Sequence, residues 1–162
     1  MYSMKKVGFL LIIVLGLLSC EKDDFCTDPK KTPKLVLRFY DKDVTTDIKQ
    51  AQRLSIIAQG KTDSLVKSQT TDSIAIPLNT ITNQTIYTLK INNDDGNVAN
   101  NKLATLTIQY IPEEEFVSRS CGFRVIFNTI TLNPSGDWID SLSTTTIATI
   151  NNENNAHVKV YH

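Results

Sequence analysis

Histidine stands at only two positions, His157 and His162. Without a His-x-x-x-His pair or a Cys/His cluster, no zinc site is expected. His157 lies on the face opposite Val158 and Val160 and reads as solvent-facing rather than as a general base. Glu113-Glu114-Glu115 offers the carboxylates a glycosidase would use. Catalytic pairs, however, are assembled from separate elements across a cleft, so three adjacent acids after Ile111-Pro112 read as a solvated loop. Ser118-Arg119-Ser120-Cys121-Gly122 sets a nucleophile beside a cation, but it lacks a Gly-x-Ser-x-Gly elbow and a placed histidine. Asn92 to Asn97 carries the amides and carboxylates that bind calcium. Ile91 nevertheless occupies the place of the first acid in an EF-hand and no glutamate closes the loop, so the segment reads as a hairpin connection. No glycine loop suited to a phosphate is present. Trp138 follows a turn and is a candidate for stacking on a ligand such as a sugar, with core or rim packing as its alternative. The expectation is a protein without catalytic residues, metal ligands or a cofactor.

The cysteines carry a different chemistry. Lys5 and Lys6 precede an uncharged apolar run from Val7 to Leu18, which ends in Ser19-Cys20. About 20 apolar residues are needed to span a bilayer, so this shorter run has the layout of an export signal. Leu17-Leu18-Ser19-Cys20 resembles the lipobox of bacterial lipoproteins. Lipidation at Cys20, palmitate included, would anchor the chain, since each buried methylene contributes roughly 0.8 kcal/mol. Behind it, Lys22-Asp23-Asp24 resembles the export signal that sends Bacteroidota lipoproteins to the outer face of the outer membrane; an ordinary solvated tether is the alternative.

With Cys20 lipidated, Cys26 and Cys121 remain. In an oxidising envelope two leftover cysteines most simply form one disulfide, and two unpaired thiols are the alternative. A redox or metal-binding pair would need a C-x-x-C spacing or nearby histidines, and neither is present. Only Glu21 to Phe25 separates Cys20 from Cys26. At about 3.5 Å per extended residue that tether reaches roughly 20 Å.

Residues 1–19 are thus read as a cleaved lipoprotein signal peptide, 20–33 as the lipidated N-terminus and tether, and 34–162 as a single domain. Removing the signal leaves 15 basic and 17 acidic residues. That near-balance argues against a nucleic-acid partner, which would call for a basic surplus. About 140 mature residues are enough to bury a core. The richness in Thr, Ile, Val, Leu and Asn is a strand-and-turn composition.

Alternation of apolar residues supplies the elements. Leu35, Leu37 and Phe39 form one apolar face; Leu54, Ile56 and Ala58 a second. Ile74, Ile76 and Leu78 run beside Pro77, which predicts an edge strand or a bulge. Tyr87-Leu89-Ile91 and Leu106-Ile108-Tyr110 flank the Asn/Asp/Gly-rich loop and predict a hairpin. Phe123, Val125 and Phe127 are out of phase with Ile126, Ile130 and Leu132, which predicts a bulge or bend near Asn128. Asn133 to Asp137 reads as a turn. Ile147 and Ile150 mark a short strand, and Val158 and Val160 a final one. No segment has a helical period. The expected architecture is all-β, an antiparallel two-sheet sandwich of about seven to nine strands.

Three tripeptides, at Asp63-Ser64-Leu65, Asp72-Ser73-Ile74 and Asp140-Ser141-Leu142, resemble the O-glycosylation acceptor of Bacteroidota, so Ser64, Ser73 and Ser141 are candidate acceptors of surface glycans.

Taken in order, Cys20 to Cys26, Thr32-Pro33-Lys34-Leu35, Arg38-Phe39-Tyr40-Asp41, Phe116 to Phe123, Asp137-Trp138-Ile139 and His157 to Tyr161 resemble an uncharacterised Bacteroidota lipoprotein family, domain-of-unknown-function family 6452. The resemblance implies an envelope lipoprotein with an all-β domain and two family cysteines at Cys26 and Cys121. It brings no catalytic residues. The expected function is that of an outer-membrane, surface-exposed, non-enzymatic binding or envelope-assembly module whose partner is an envelope protein or glycan. A glycan- or peptide-binding accessory of nutrient uptake is the alternative, and an envelope hydrolase the least favoured reading.

Overall fold

The computed structural model describes residues 25–27 and 29–162; the signal peptide, Cys20 and Lys22-Asp23-Asp24 lie outside the described residues. Ten strands are found among the described residues, in chain order β1 Leu35–Tyr40, β2 Ala51–Ala58, β3 Ser64–Thr71, β4 Ser73–Ile76, β5 Gln84–Ile91, β6 Lys102–Ser118, β7 Gly122–Gly136, β8 Ser141–Leu142, β9 Thr146–Ile150 and β10 Val158–Tyr161. The only helical element among them is a 3-10 turn at Val98–Asn100. The chain divides into two compact units. The larger holds residues 31–115 and 124–162, and the described residues of the smaller are 25–27, 29–30 and 116–123.

The larger unit is a β-sandwich, as expected. One sheet has the order β4-β1-β10-β8 and the other β3-β2-β5-β6-β7-β9. Between them lies one apolar core. β1 sends in Leu35, Leu37 and Phe39, β2 Leu54 and Ile56, β5 Tyr87 and Leu89, β6 Leu106 and Ile108, and β10 Val158 and Val160. These are the alternate positions of each strand, because successive side chains point to opposite faces of a sheet.

Pairing departs from a purely antiparallel sandwich at one place. β1 and β10 are parallel, with Leu37 opposite Val158 and Phe39 opposite Val160. β4 flanks β1 at the edge of that sheet, where Pro77 ends the strand without removing a ladder donor. The β5–β6 hairpin forms across the Asn/Asp/Gly loop, with Tyr87 opposite Leu106 and Ile91 opposite Lys102.

The phase change in β7 comes from Thr129, whose φ of 52° lies in the left-handed region. That one residue brings Phe127, Ile130 and Leu132 onto the same buried face, where Ile130 and Leu132 had been expected opposite Phe127. A second correction concerns Asn133–Gly136, expected as a turn. These residues end β7 instead. Gly136, with φ +123°, lets the strand pass so close to β6 that a Cβ there would stand 2.4 Å from the carbonyl oxygen of Leu103. The glycine serves close approach, not reversal. Asp137 then donates its N–H to that same oxygen at 2.8 Å.

The Glu113–Glu115 run, expected as a loop, lies within β6. Cross-strand partners hold it there: Asn128 donates to Glu113, and Arg124 pairs with Glu115.

In the smaller unit, a turn at Arg119–Cys121 joins the end of β6 to the start of β7. The Ser118 hydroxyl oxygen accepts the Cys121 N–H at 3.0 Å. Cys26 and Cys121 form a disulfide with Cα atoms 4.8 Å apart and a sequence separation of 95. The sequence left two unpaired thiols as the alternative, and the bond excludes it.

Candidate functional site

One concavity of the larger unit is an open cleft of about 560 Å3. Its wall begins where β1 ends. Asp41 accepts the N–H groups of Asp43 and Val44 on Oδ1, at 2.8 and 3.0 Å, which reverses the chain. The reversal returns Lys49 to Asp41, and Lys49 Nζ sits 3.0 Å from Asp41 Oδ2. The Val44 N–H, then the Lys49 side chain and the Asp43 N–H, hold the Asp41 carboxyl down at a pKa of about 2. Lys49 Nζ also donates to the backbone oxygen of His162 at 2.7 Å.

The floor is aromatic. Trp138 is packed edge-on to His162, ring centroids 5.4 Å apart, and tilted against Phe39 at 6.1 Å. Its indole N–H donates to the Leu89 carbonyl at 3.1 Å. Only 6% of Trp138 is exposed. The stacking role considered for it is therefore corrected: a ring this buried, with its donor engaged, presents no exposed platform to a sugar. The alternative, core packing, holds. His162 packs edge-on to Phe39 as well, and burial pushes its imidazole below the ordinary histidine range.

Around this floor stand Gln52, Asn92, Lys42, Lys102, Asp137 and Asp140. The two ion pairs formed among the described residues are Lys49–Asp41 and Arg124–Glu115. Lys42, Lys102, Asp137 and Asp140 belong to neither. The rim thus offers the ammonium groups of Lys42 and Lys102, the carboxylates of Asp137 and Asp140, and the amides of Gln50, Gln52 and Asn92 at an open mouth. A partner carrying both charges and amide edges, such as a peptide segment, matches that set better than a polyanion does. Sequence reasoning had named Asn92, Trp138, Asp140 and His162 from this region, each for a separate reason and only Trp138 as a ligand contact. The rest come from four separate stretches of chain, so no local spacing could have signalled them.

A second concavity, of about 630 Å3, follows residues 77–87. Its tyrosine is committed to the fold: Tyr87 donates its hydroxyl to the Pro77 carbonyl, and burial pushes its pKa up to about 12.

The other residues named from the sequence fall as follows. His157 is half-buried, where it had been expected to face solvent. Its Nδ1 accepts the Val36 N–H at 2.9 Å, so Nε2 carries the proton and meets the Asn152 carbonyl at 3.0 Å. The His157 N–H in turn donates to the Val36 carbonyl. It is a clasp between β1 and the start of β10. Burial pushes its pKa below the ordinary value. Glu114 is exposed on β6. Of the three candidate acceptor serines, Ser64 opens β3 half-buried, Ser73 donates to the Leu37 carbonyl at 3.1 Å, and Ser141 is exposed beside Asp140. Among the described residues no three His, Cys, Asp or Glu side chains gather as a metal site.

A polar cluster went unnoticed in the sequence. Ser55, buried on β2, accepts the Ser68 N–H and an Asn93 amide hydrogen, each at 2.9 Å. Arg53 and Ser68, both left-handed, coincide with the register shifts between β2 and β3.

No curated protein and no solved structure matches the chain. Residues 53–162, about two thirds of the length, match Family of unknown function (DUF6452), a span that takes in the cleft's Asn92, Lys102, Asp137 and His162 and begins within β2. The chain belongs to that family.

Proposed function

We propose that this chain is a bacterial outer-membrane lipoprotein of the Bacteroidota type, acylated at Cys20 and routed outward by Lys22-Asp23-Asp24. Its β-domain acts there as a non-enzymatic binding or assembly module. The observation that carries the reading is the Cys26–Cys121 disulfide. Such a bond is at home in an oxidising compartment, in keeping with an exported chain. It also fixes a point of the smaller unit only six residues from the anchor, within roughly 20 Å along an extended chain. Metabolic labelling with a palmitate analogue tests the anchor. Label should enter the wild-type protein and be lost in Cys20→Ser, and an unlabelled wild type overturns it.

The cleft at Lys102 is where a partner with mixed charge would bind, and its rim favours a peptide or protein over a glycan now that Trp138 is buried. A photo-crosslinking residue at Lys102 should capture one discrete envelope species in cells, while the same residue at the exposed Ile81 should not. Equal capture at both positions, or at neither, counts against this site.

A further inference from the structure

The smaller unit carries an apolar surface that its own packing leaves uncovered. Five phenylalanines follow Cys20. Phe39 and Phe127 are fully buried in the larger unit. The other three all belong to the smaller unit, and all are exposed: Phe25 by 79%, Phe116 by 57% and Phe123 by 65%. Phe116 and Phe123 stand beside each other across the β6–β7 hairpin end, ring centroids 5.3 Å apart. A cross-strand aromatic pair left open to water at a turn is costly unless something covers it. The turn is braced rather than loose. The Cys26–Cys121 bond and the Ser118–Cys121 hydrogen bond fix its shape, so little order is lost on docking. The charged groups described in this unit are both cationic, Lys30 and Arg119. The tether itself brings acids, Glu21, Asp23 and Asp24, so attraction to anionic lipid is not the driving term.

We infer that the disulfide-braced end of the β6–β7 hairpin is a second membrane contact, which lays Phe116 and Phe123, with Phe25 beside Cys26, into the interfacial layer of the bilayer that holds the Cys20 anchor. This rests on the proposed acylation of Cys20. The length of chain ahead of the disulfide selects the occupant. A segment that reaches roughly 20 Å when extended cannot carry the aromatic residues far from the lipid surface. Confinement to that distance gives a weak apolar contact an effective concentration in the millimolar range. The lipid anchor holds the chain at the surface, and an aromatic hairpin end adds a second, weaker contact with the same layer.

The test uses the lipidated protein in phosphatidylethanolamine–phosphatidylglycerol vesicles, with Phe123→Trp as a reporter and lipids brominated close to the headgroup as quenchers. Emission from position 123 should shift to the blue and be quenched at least about twofold more than Trp138 of the unsubstituted protein. Emission typical of indole in water, unquenched while the protein stays vesicle-bound, overturns the inference. So does efficient crosslinking between two copies at position 123, which would assign the surface to self-association.

The mature chain with Cys20→Ser separates this inference from the anchor. Its residual partition onto the same vesicles should fall about tenfold or more in the F116S/F123S variant, provided circular dichroism and the disulfide are unchanged. Equal partition of the two overturns the aromatic contact even when palmitate labelling succeeds. Failure of labelling with a retained tenfold difference overturns the anchor alone.

Discussion

Gly136 and His157 each hold the fold by a property that another residue lacks. At Gly136 a methyl group would meet the Leu103 carbonyl oxygen at 2.4 Å and the Ala104 Cα at 2.6 Å, with φ at +123°. Gly136→Ala should therefore cost about 2–4 kcal/mol, combining backbone strain with steric displacement of β6. Gly60→Ala should cost only about 1 kcal/mol, because its φ is positive but the space around it is open. Thermal unfolding of the two variants checks the contrast, and equal losses would contradict the close approach. At His157 the neutral imidazole is the form that accepts the Val36 N–H. Its folded pKa is lowered, first by burial, with Asn152 and Glu153 acting in the opposite direction. Stability is then fully present above the unfolded pKa of about 6.5 and is lost as pH falls below it toward the lower folded value. Urea midpoints at pH 7.5 and 5.0 should show that decline, and H157Q should flatten it, leaving the remainder to His162.

At the scale of elements, the disulfide and the hairpin ends bear the clearest consequences. Cys26–Cys121 closes a loop of 95 residues, for which chain entropy gives about 4–5 kcal/mol. The C26S/C121S protein should unfold at a markedly lower urea concentration than the oxidised wild type, and an unchanged midpoint would refute that estimate. The strands best announced by the sequence, β1, β5, β6 and β10, are those with one face in the core, so their alternation is written in residue types. β3 was illegible because it is an edge strand: Lys67, Gln69 and Thr70 are exposed, and its only apolar residues, Leu65 and Val66, are adjacent and so mark no alternation. Asn133–Gly136 misled for a physical reason, since proline and glycine suit both a turn and a strand crowded by its neighbour. The cleft could not be read at all. Its rim is gathered by pairings far apart in the chain, of which the parallel contact between β1 and β10 is the extreme case. The disulfide, by contrast, followed from cysteine counting and compartment, with no need of geometry.

For the whole molecule, the proposed address makes the surface of the cell the place to test. Protease added to intact cells should remove the protein if Lys22-Asp23-Asp24 sends it outward. Survival until the outer membrane is breached would place it on the inner leaflet instead. The route there also bears on the order of folding. β1 is flanked by β4 and β10, and Val158–Tyr161 must arrive before its second edge is filled. Pairing across some 120 residues carries a high loop-closure cost and is slow. While the last strand is still missing, β1 keeps one row of backbone donors and acceptors open and the sandwich lacks Val158 and Val160 from its core. On the proposed export route, a chain threaded through a translocon profits from that delay. It stays extensible until β10 has paired with β1, and its native state is a late event of folding.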